Sequence, residues 1–109
     1  MSESTERGAL TEAVYYILLS LFTPLHGYGI MQNIRELSGG RVALGAGTLY
    51  GAINTMLEKG WIKPVTGGLD ARKKEYGITD EGKRAVYAEI ARLEELIKNG
   101  KEIVKGDVK

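Results

Sequence analysis

The stretch GAGTLYGAINTMLEKGW, Gly45–Trp61, restricts most strongly what this chain can become. Leu49, Ala52, Ile53, Met56 and Leu57 recur at the spacing of one helix face, which predicts an amphipathic helix over Ala46–Lys59 with that face turned inward. The opposite face carries Gly47, Gly51, Asn54 and Glu58, with Thr48 and Thr55 on one flank and Tyr50 on the other. Gly60 is placed to cap the C-terminus, and Lys59 suits the negative end of the helix dipole. Two glycines inside a helix cost about 1 kcal/mol each relative to alanine. A helix that only covered a core would gain by losing them. Small residues beside hydroxyls, an amide and a phenol let a large object, such as a DNA groove, come close to the backbone. The other reading is an ordinary surface helix with a poorly optimised outer face.

The length of 109 residues allows one small domain plus at most one accessory element. The absence of cysteine excludes disulfides, cysteine-based zinc sites and thiol chemistry, and fits a reducing cytoplasm. The longest apolar stretch, Ala13–Phe22, is far short of the roughly 20 residues that span a bilayer. The first eight residues, MSESTERG, are polar and acidic, which does not describe a signal peptide; residues 1–8 are expected to be a disordered N-terminus. The net charge is only +1. Its distribution is uneven. In the middle third Arg41, Lys59, Lys63, Arg72, Lys73 and Lys74 face only Glu58, Asp70 and Glu75, whereas the first forty residues are mildly acidic and the part after Ile78 is balanced.

A first helix is predicted from about Leu10 to Phe22. Leu10, Ala13, Val14, Ile17, Leu18 and Leu21 form one stripe, and Tyr15, Tyr16, Leu19 and Phe22 leave the rest of the circumference largely apolar. Such a helix is covered on both sides. In so short a chain, part of that surface is expected to meet a second subunit. Pro24 ends the helix. A second helix, about Gly27–Leu37, has Ile30, Met31, Ile34 and Leu37 as its core stripe, and Gly39-Gly40 stops it. His26 reads as a capping or packing residue rather than a catalyst, since no acid or nucleophile sits near it in sequence. Arg41–Leu44 is a short link or a single strand.

After Trp61 the period changes. Trp61–Thr66 reads as a strand, at an edge because of Pro64; Thr66–Asp70 is a turn cluster; and Arg72–Thr79 is the returning strand, with Tyr76 and Ile78 inward and basic residues beside the tip. Trp61 is expected to pack at the corner between helix and hairpin. Thr79 reads as the N-cap of a last helix, with Asp80 and Glu81 in its first turn. Val86, Ile90, Leu93 and Ile97 form an a/d seam, with Arg84, Glu89, Arg92, Glu94 and Glu95 outside it. Gly100 is expected to weaken or end this helix, which leaves 101–109 as a flexible charged tail.

The expected fold is mostly α with a small β-hairpin: a winged helix-turn-helix over 9–79, followed by a C-terminal dimerisation helix over 80–100. In that arrangement the second helix supports the third, and the third enters the major groove. Nothing in the sequence suggests catalysis, a metal or a cofactor. There is no Gly-rich phosphate loop, no metal-ligand spacing and no serine–histidine pair. Two other classes stay open: a winged helix used purely for protein interaction, and a dimer that binds a small molecule in a cavity lined by Tyr15, Tyr16, Tyr87 and Phe22.

The chain resembles the PadR family of transcriptional regulators, of the short type with one C-terminal helix. The resemblance rests on Leu10-Thr11-Glu12 through Ser20-Leu21, His26-Gly27-Tyr28-Gly29-Ile30, Gly47-Thr48-Leu49-Tyr50, Glu58-Lys59-Gly60-Trp61-Ile62, and Lys73-Lys74-Glu75-Tyr76 with Ile78-Thr79 and Gly82. It covers about Leu10 to Leu96. It implies a homodimeric DNA-binding protein, most often a repressor, in which the C-terminal helix joins helix 1 of the partner. The interface residues would then be Tyr15, Leu19, Phe22, Val86, Ile90, Leu93 and Ile97. Some members bind small molecules in the dimer-interface cavity, which implies room for a small aromatic or hydrophobic effector. Members often carry a basic pair in the middle of the recognition helix, where this chain has Asn54 and Thr55. The last helix also lacks the tryptophan that stacks flat ligands in some relatives.

Thr48, Tyr50, Asn54 and Thr55 are the expected groove residues: Asn can pair bidentately with adenine and Thr can meet a thymine methyl. Tyr50 suits a phosphate contact, or packing against the support helix. Lys63, Arg72, Lys73 and Lys74 would supply the wing's phosphate contacts, unless they are simply a solvated hairpin.

Overall fold

The computed structural model describes residues 9–66 and 74–107. In chain order the elements are α1 (Glu12–Ser20), β1 (Leu25–His26), α2 (Gly27–Leu37), α3 (Ala46–Glu58), β2 (Ile62–Thr66), β3 (Glu75–Ile78) and α4 (Asp80–Val104). One core joins them. It is built from Ile17, Leu18 and Leu21 around α1, Ile30 and Ile34 of α2, Leu49, Ile53 and Met56 of α3, and one side chain each from β2, β3 and α4: Ile62, Tyr76 and Val86.

Three of the four helices among the described residues begin on a side chain that satisfies one of their free amides. The Thr11 hydroxyl accepts the Val14 N–H at 3.1 Å. His26 Nδ1 accepts the Gly29 N–H at 3.0 Å, the capping role expected of this histidine. The Thr79 hydroxyl accepts the Gly82 N–H at 3.1 Å, with Asp80 and Glu81 in the first turn behind it. α1 is shorter than the predicted Leu10–Phe22. The Leu21 N–H bonds both the Ile17 and Leu18 carbonyls, tightening the last turn. Ser20, buried at that end, donates to the Tyr16 carbonyl and accepts from Asn33 Nδ2 of α2.

Gly39 and Gly40, at φ 63° and 85°, turn the chain out of α2 in a conformation that side chains disfavour. The link Arg41–Leu44 is irregular rather than a strand. The Ser38 hydroxyl accepts the Val42 N–H at 2.9 Å, and Arg41 forms a two-point ion pair with Glu12 of α1.

The wing has one more strand than the sequence suggested. The sheet order is β1-β3-β2, all antiparallel, with Leu25 opposite Tyr76 and Ile62 opposite Ile78. Pro64 lies on β2, an edge strand as expected, and the ladder is irregular between Pro64 and Thr66. The returning strand covers Glu75–Ile78; the turn cluster after Thr66, with Arg72 and Lys73, lies outside the described residues.

The last helix departs furthest from expectation. It does not end at Gly100 but runs 25 residues to Val104. Its inward face is Gly82, Val86 and Glu89, and every residue from Glu94 to Asp107 is exposed. About three turns of α4 therefore stand clear of the body, and the molecule measures 58 × 29 × 24 Å.

Candidate nucleic-acid interface

α3 carries its chemistry outward. Leu49, Ile53 and Met56 are sealed in the core, and Gly47, Thr48, Gly51, Asn54, Thr55 and Glu58 are exposed. Space is open around both glycines: a Cβ placed on Gly47 or Gly51 would meet nothing within 4 Å. Packing inside the chain therefore does not require them. The helix starts on Gly45 with no side-chain cap, which leaves its positive end to an outside group. The Thr55 hydroxyl donates back to the Gly51 carbonyl at 3.2 Å, so its methyl group is the freer contact.

Tyr50 divides its ring between two roles. It is 37% exposed, yet its hydroxyl end lies on Gly27 at the start of α2. A Cβ on Gly27 would overlap the Tyr50 hydroxyl and sit 2.7 Å from Cζ. The ring therefore packs against the support helix through its hydroxyl end. Burial, together with the nearby Tyr50, pushes the phenol of Tyr76 in β3 above its ordinary range.

In the wing, Lys63 is exposed on β2 and Lys74 is half-buried beside β3. Arg72 and Lys73 lie outside the described residues. Trp61 is half-buried against the core at the corner, with the Lys59 ammonium 5.2 Å from its ring centre.

The expected dimer residues separate into three groups by exposure. Val86 is 1% exposed and belongs to the chain's own core, so it offers a partner no surface. Tyr15, Leu19, Ile90 and Leu93 are half-buried, while Phe22 and Ile97 are exposed. Lys83 places its ammonium 5.7 Å from the Phe22 ring centre. The sequence reading missed Leu96, Ile103 and Val104, exposed apolar residues on α4. The steps of three and four from Val86 to Ile97 continue through Gly100 to Val104, which was the available signal for Val104; Leu96 and Ile103 lie off those steps.

Glu89 is also reassigned. The spacing puts it outside the seam, but it is 3% exposed. It accepts the Leu10 N–H at 3.2 Å and two Arg92 bonds at 3.0 and 2.6 Å. The Arg92 bonds, helped by the Leu10 amide, hold its carboxyl below the usual range against the opposing effect of burial. Beside it a cavity of about 300 Å³ is lined by Leu10, Glu12, Tyr15, Tyr16, Glu89, Arg92 and Leu93. The rings of Tyr15 and Tyr16, which line it, have centres 6.2 Å apart. Among the described residues no cluster suits a metal ion, and no helix is long and apolar enough to cross a membrane.

The sequence profile of the transcriptional regulator PadR-like family matches residues 16–88. Among solved structures, the chain is similar to a transcriptional regulator from Clostridium thermocellum, at 26% identity and a TM-score of 0.62 over 90% of this chain and 93% of that one. RosR from H. salinarum gives 25% identity and a TM-score of 0.66, again over 90% and 93%. Bacillus subtilis PadR in complex with operator DNA gives 26% identity and a TM-score of 0.58 over 71% of this chain and 45% of that one. Among curated proteins, none matches the sequence.

Proposed function

The chain belongs to the transcriptional regulator PadR-like family, and from that premise we propose that it binds double-stranded DNA sequence-specifically as a homodimer. α3 lies in the major groove, with Asn54 reading a base edge, Thr48 and Thr55 making short-range contacts, and Tyr50 positioning the helix on a phosphate. Lys63, Arg72, Lys73 and Lys74 hold the backbone beside it. The observation that carries this reading is the outer face of α3, where a run of small and hydrogen-bonding residues with open space over both glycines adjoins an uncapped helix start. The structure of the B. subtilis relative on operator DNA supports it.

The two protomers join through the exposed stripe of α4 and the outer face of α1. Two-fold symmetry then implies an inverted-repeat operator, and occupancy there represses transcription. The cavity beside Tyr15 and Tyr16 suits a small aromatic or hydrophobic effector that relieves repression. An electrophoretic shift with the DNA upstream of the protein's own gene, competed by scrambled duplex, tests the central claim. A shift abolished equally by specific and scrambled competitors would refute sequence-specific reading, and no shift at all would favour a protein-interaction module.

A further inference from the structure

We propose that Thr79 is a positioning residue that sets the spacing between the two DNA half-sites, by locking the angle between the recognition helix and the dimer-forming helix. The proposal rests on the dimeric DNA-binding reading above.

The geometry lies at one joint. α3 ends at Glu58, and Gly60, with a φ of 76°, turns the chain toward Trp61 and β2. The start of α4 returns to the same two residues. The Thr79 N–H donates to the Trp61 carbonyl at 2.9 Å, and the Thr79 hydroxyl donates to the Gly60 carbonyl at 2.6 Å. The same hydroxyl oxygen accepts the Gly82 N–H that opens α4. The Thr79 N–H bond continues the ladder between β2 and β3, and the hydroxyl adds a second bond to the preceding carbonyl, which with Val86 in the core restricts rotation at this joint. Gly82 seats the joint further. It is buried, and a Cβ there would overlap the Trp61 carbonyl oxygen and lie 2.7 Å from Ile78 Cγ1. One hydroxyl thus caps α4 and also clamps α4 to the end of α3.

The lever is long. α4 has 25 residues, hence about 37 Å at 1.5 Å per residue. A rotation of about 5° at Thr79 moves its far end by about 3 Å, close to the ~3.4 Å rise of one base pair. In a dimer joined along α4, a few degrees at this joint change which half-site spacing both recognition helices can reach.

Capping and clamping can be separated. Thr79→Ser keeps the cap acceptor and the donor to Gly60. Thr79→Asp keeps the cap acceptor, which the helix dipole favours, but its ionised carboxylate cannot donate to the Gly60 carbonyl. The chain has no cysteine, so Ala46→Cys and Lys98→Cys, both exposed, give a clean pair of spin labels on α3 and α4. Dilution of the labelled chain in unlabelled chain makes the measured distance intrachain.

The expected result is one narrow distance for the wild-type joint and for Thr79→Ser alike. With Thr79→Asp the distance is displaced or broadened by about 2.5 Å or more, the travel of a rotation of about 5° over the roughly 28 Å from Thr79 to Lys98, although the unfolding midpoint is no lower than for Thr79→Ser. Gly82→Ala, which leaves Thr79 intact, is expected to displace the same distance. Selection from a random duplex pool supplies the second readout: the wild type enriches one half-site spacing, whereas Thr79→Asp enriches the same half-site at shifted or mixed spacings. An unchanged distance in Thr79→Asp, or a single unchanged spacing, overturns the proposal. If the wild type enriches no duplex, the DNA-binding reading falls, and the distance measurement still decides the joint.

Discussion

The contact between Gly27 and Tyr50 leads to a prediction whose sign reverses with background. Replacing Gly27 by alanine should destabilise the protein, although alanine is the better helix former and the φ of Gly27 is not positive. The added Cβ falls on the Tyr50 hydroxyl, 2.7 Å from Cζ and 3.3 Å from Cε1, so the ring must leave. Forcing extra volume into a packed contact typically costs about 1–3 kcal/mol. Because Tyr50 is 37% exposed and can swing toward solvent, the low half of that range is expected. Tyr50→Phe removes the nearest atom but not the short approach to Cζ, so it should relieve only part of the cost.

In a Tyr50→Ala background the same Gly27→Ala change meets no ring and should be neutral or stabilising by about 0.5–1 kcal/mol, the usual gain over glycine in a helix. A double-mutant cycle in urea therefore should give a coupling of at least about 1 kcal/mol, with matching midpoint shifts of ~4–8 °C per kcal/mol on heating. Additive effects, with Gly27→Ala equally costly in both backgrounds, would falsify the assignment of Tyr50 as the clamp on the support helix.

Ile97→Glu, on a side chain outside the chain's own core, should convert a dimer to monomer without lowering the helical signal; light scattering after size exclusion decides, and a wild-type monomer at tens of micromolar (~8 kcal/mol for a micromolar dimer) sinks the assembly. Asn54→Ala should cost about 1–3 kcal/mol at one base pair per half-site and relax preference there, whereas neutralising Lys63 or Lys74 should weaken cognate and scrambled duplexes alike and flatten the salt slope by about 0.9 per lost phosphate contact. Binding isotherms at several salt concentrations separate the two. Because Glu89 titrates lower when folded than the ~4.3 of a free glutamate, its contribution is complete above that value and is lost as pH falls through the folded value. Glu89→Gln should therefore be less stable than wild type at neutral pH and lose less stability on acidification. Parallel curves across about pH 3–6, the span around that carboxylate range, would contradict this.

The sequence revealed α2, α3 and the N-cap of α4 because each carries several concordant signals. Apolar spacing fixes the inward faces of α3 and, except for the expected core residue Leu37, which is 50% exposed at the helix end, of α2; Gly39-Gly40 and Gly60 stop them, and Thr79 precedes two acids. β1 could not be read in the same way. Two residues have no period, and Leu25 and His26 form a strand only because β3 lies beside them. The apolar spacing misplaces the inward face of α4 by one step. Val86, Ile90, Leu93 and Ile97 fit a seam, but the side that the body covers is Gly82, Val86 and Glu89. A carboxylate on that side looks wrong until the Leu10 amide and Arg92 are in place, and both are tertiary facts. Gly100 looks like a stop in the sequence and is not one. A single interior glycine costs only about 1 kcal/mol, which its neighbours in a long helix can absorb. On the outer face of α3 the residues were identifiable, but the packing of Tyr50 on the support helix depends on a tertiary contact with Gly27 that no spacing signals.

The pairing of β1 with β3 bears on the order in which the protein folds. Leu25 and Tyr76 are about 50 residues apart, and α2, α3 and β2 all lie between them. Closing a loop of that length from an unstructured chain costs about 3–4 kcal/mol of entropy before the two-residue ladder returns anything. The helices must therefore shorten the loop first, by docking α2 and α3 on the α1 core. Side chains of the helical core should consequently show high φ-values, and Leu25 and the Tyr76 backbone low ones. Destabilising the wing base should speed unfolding while leaving the refolding rate almost untouched.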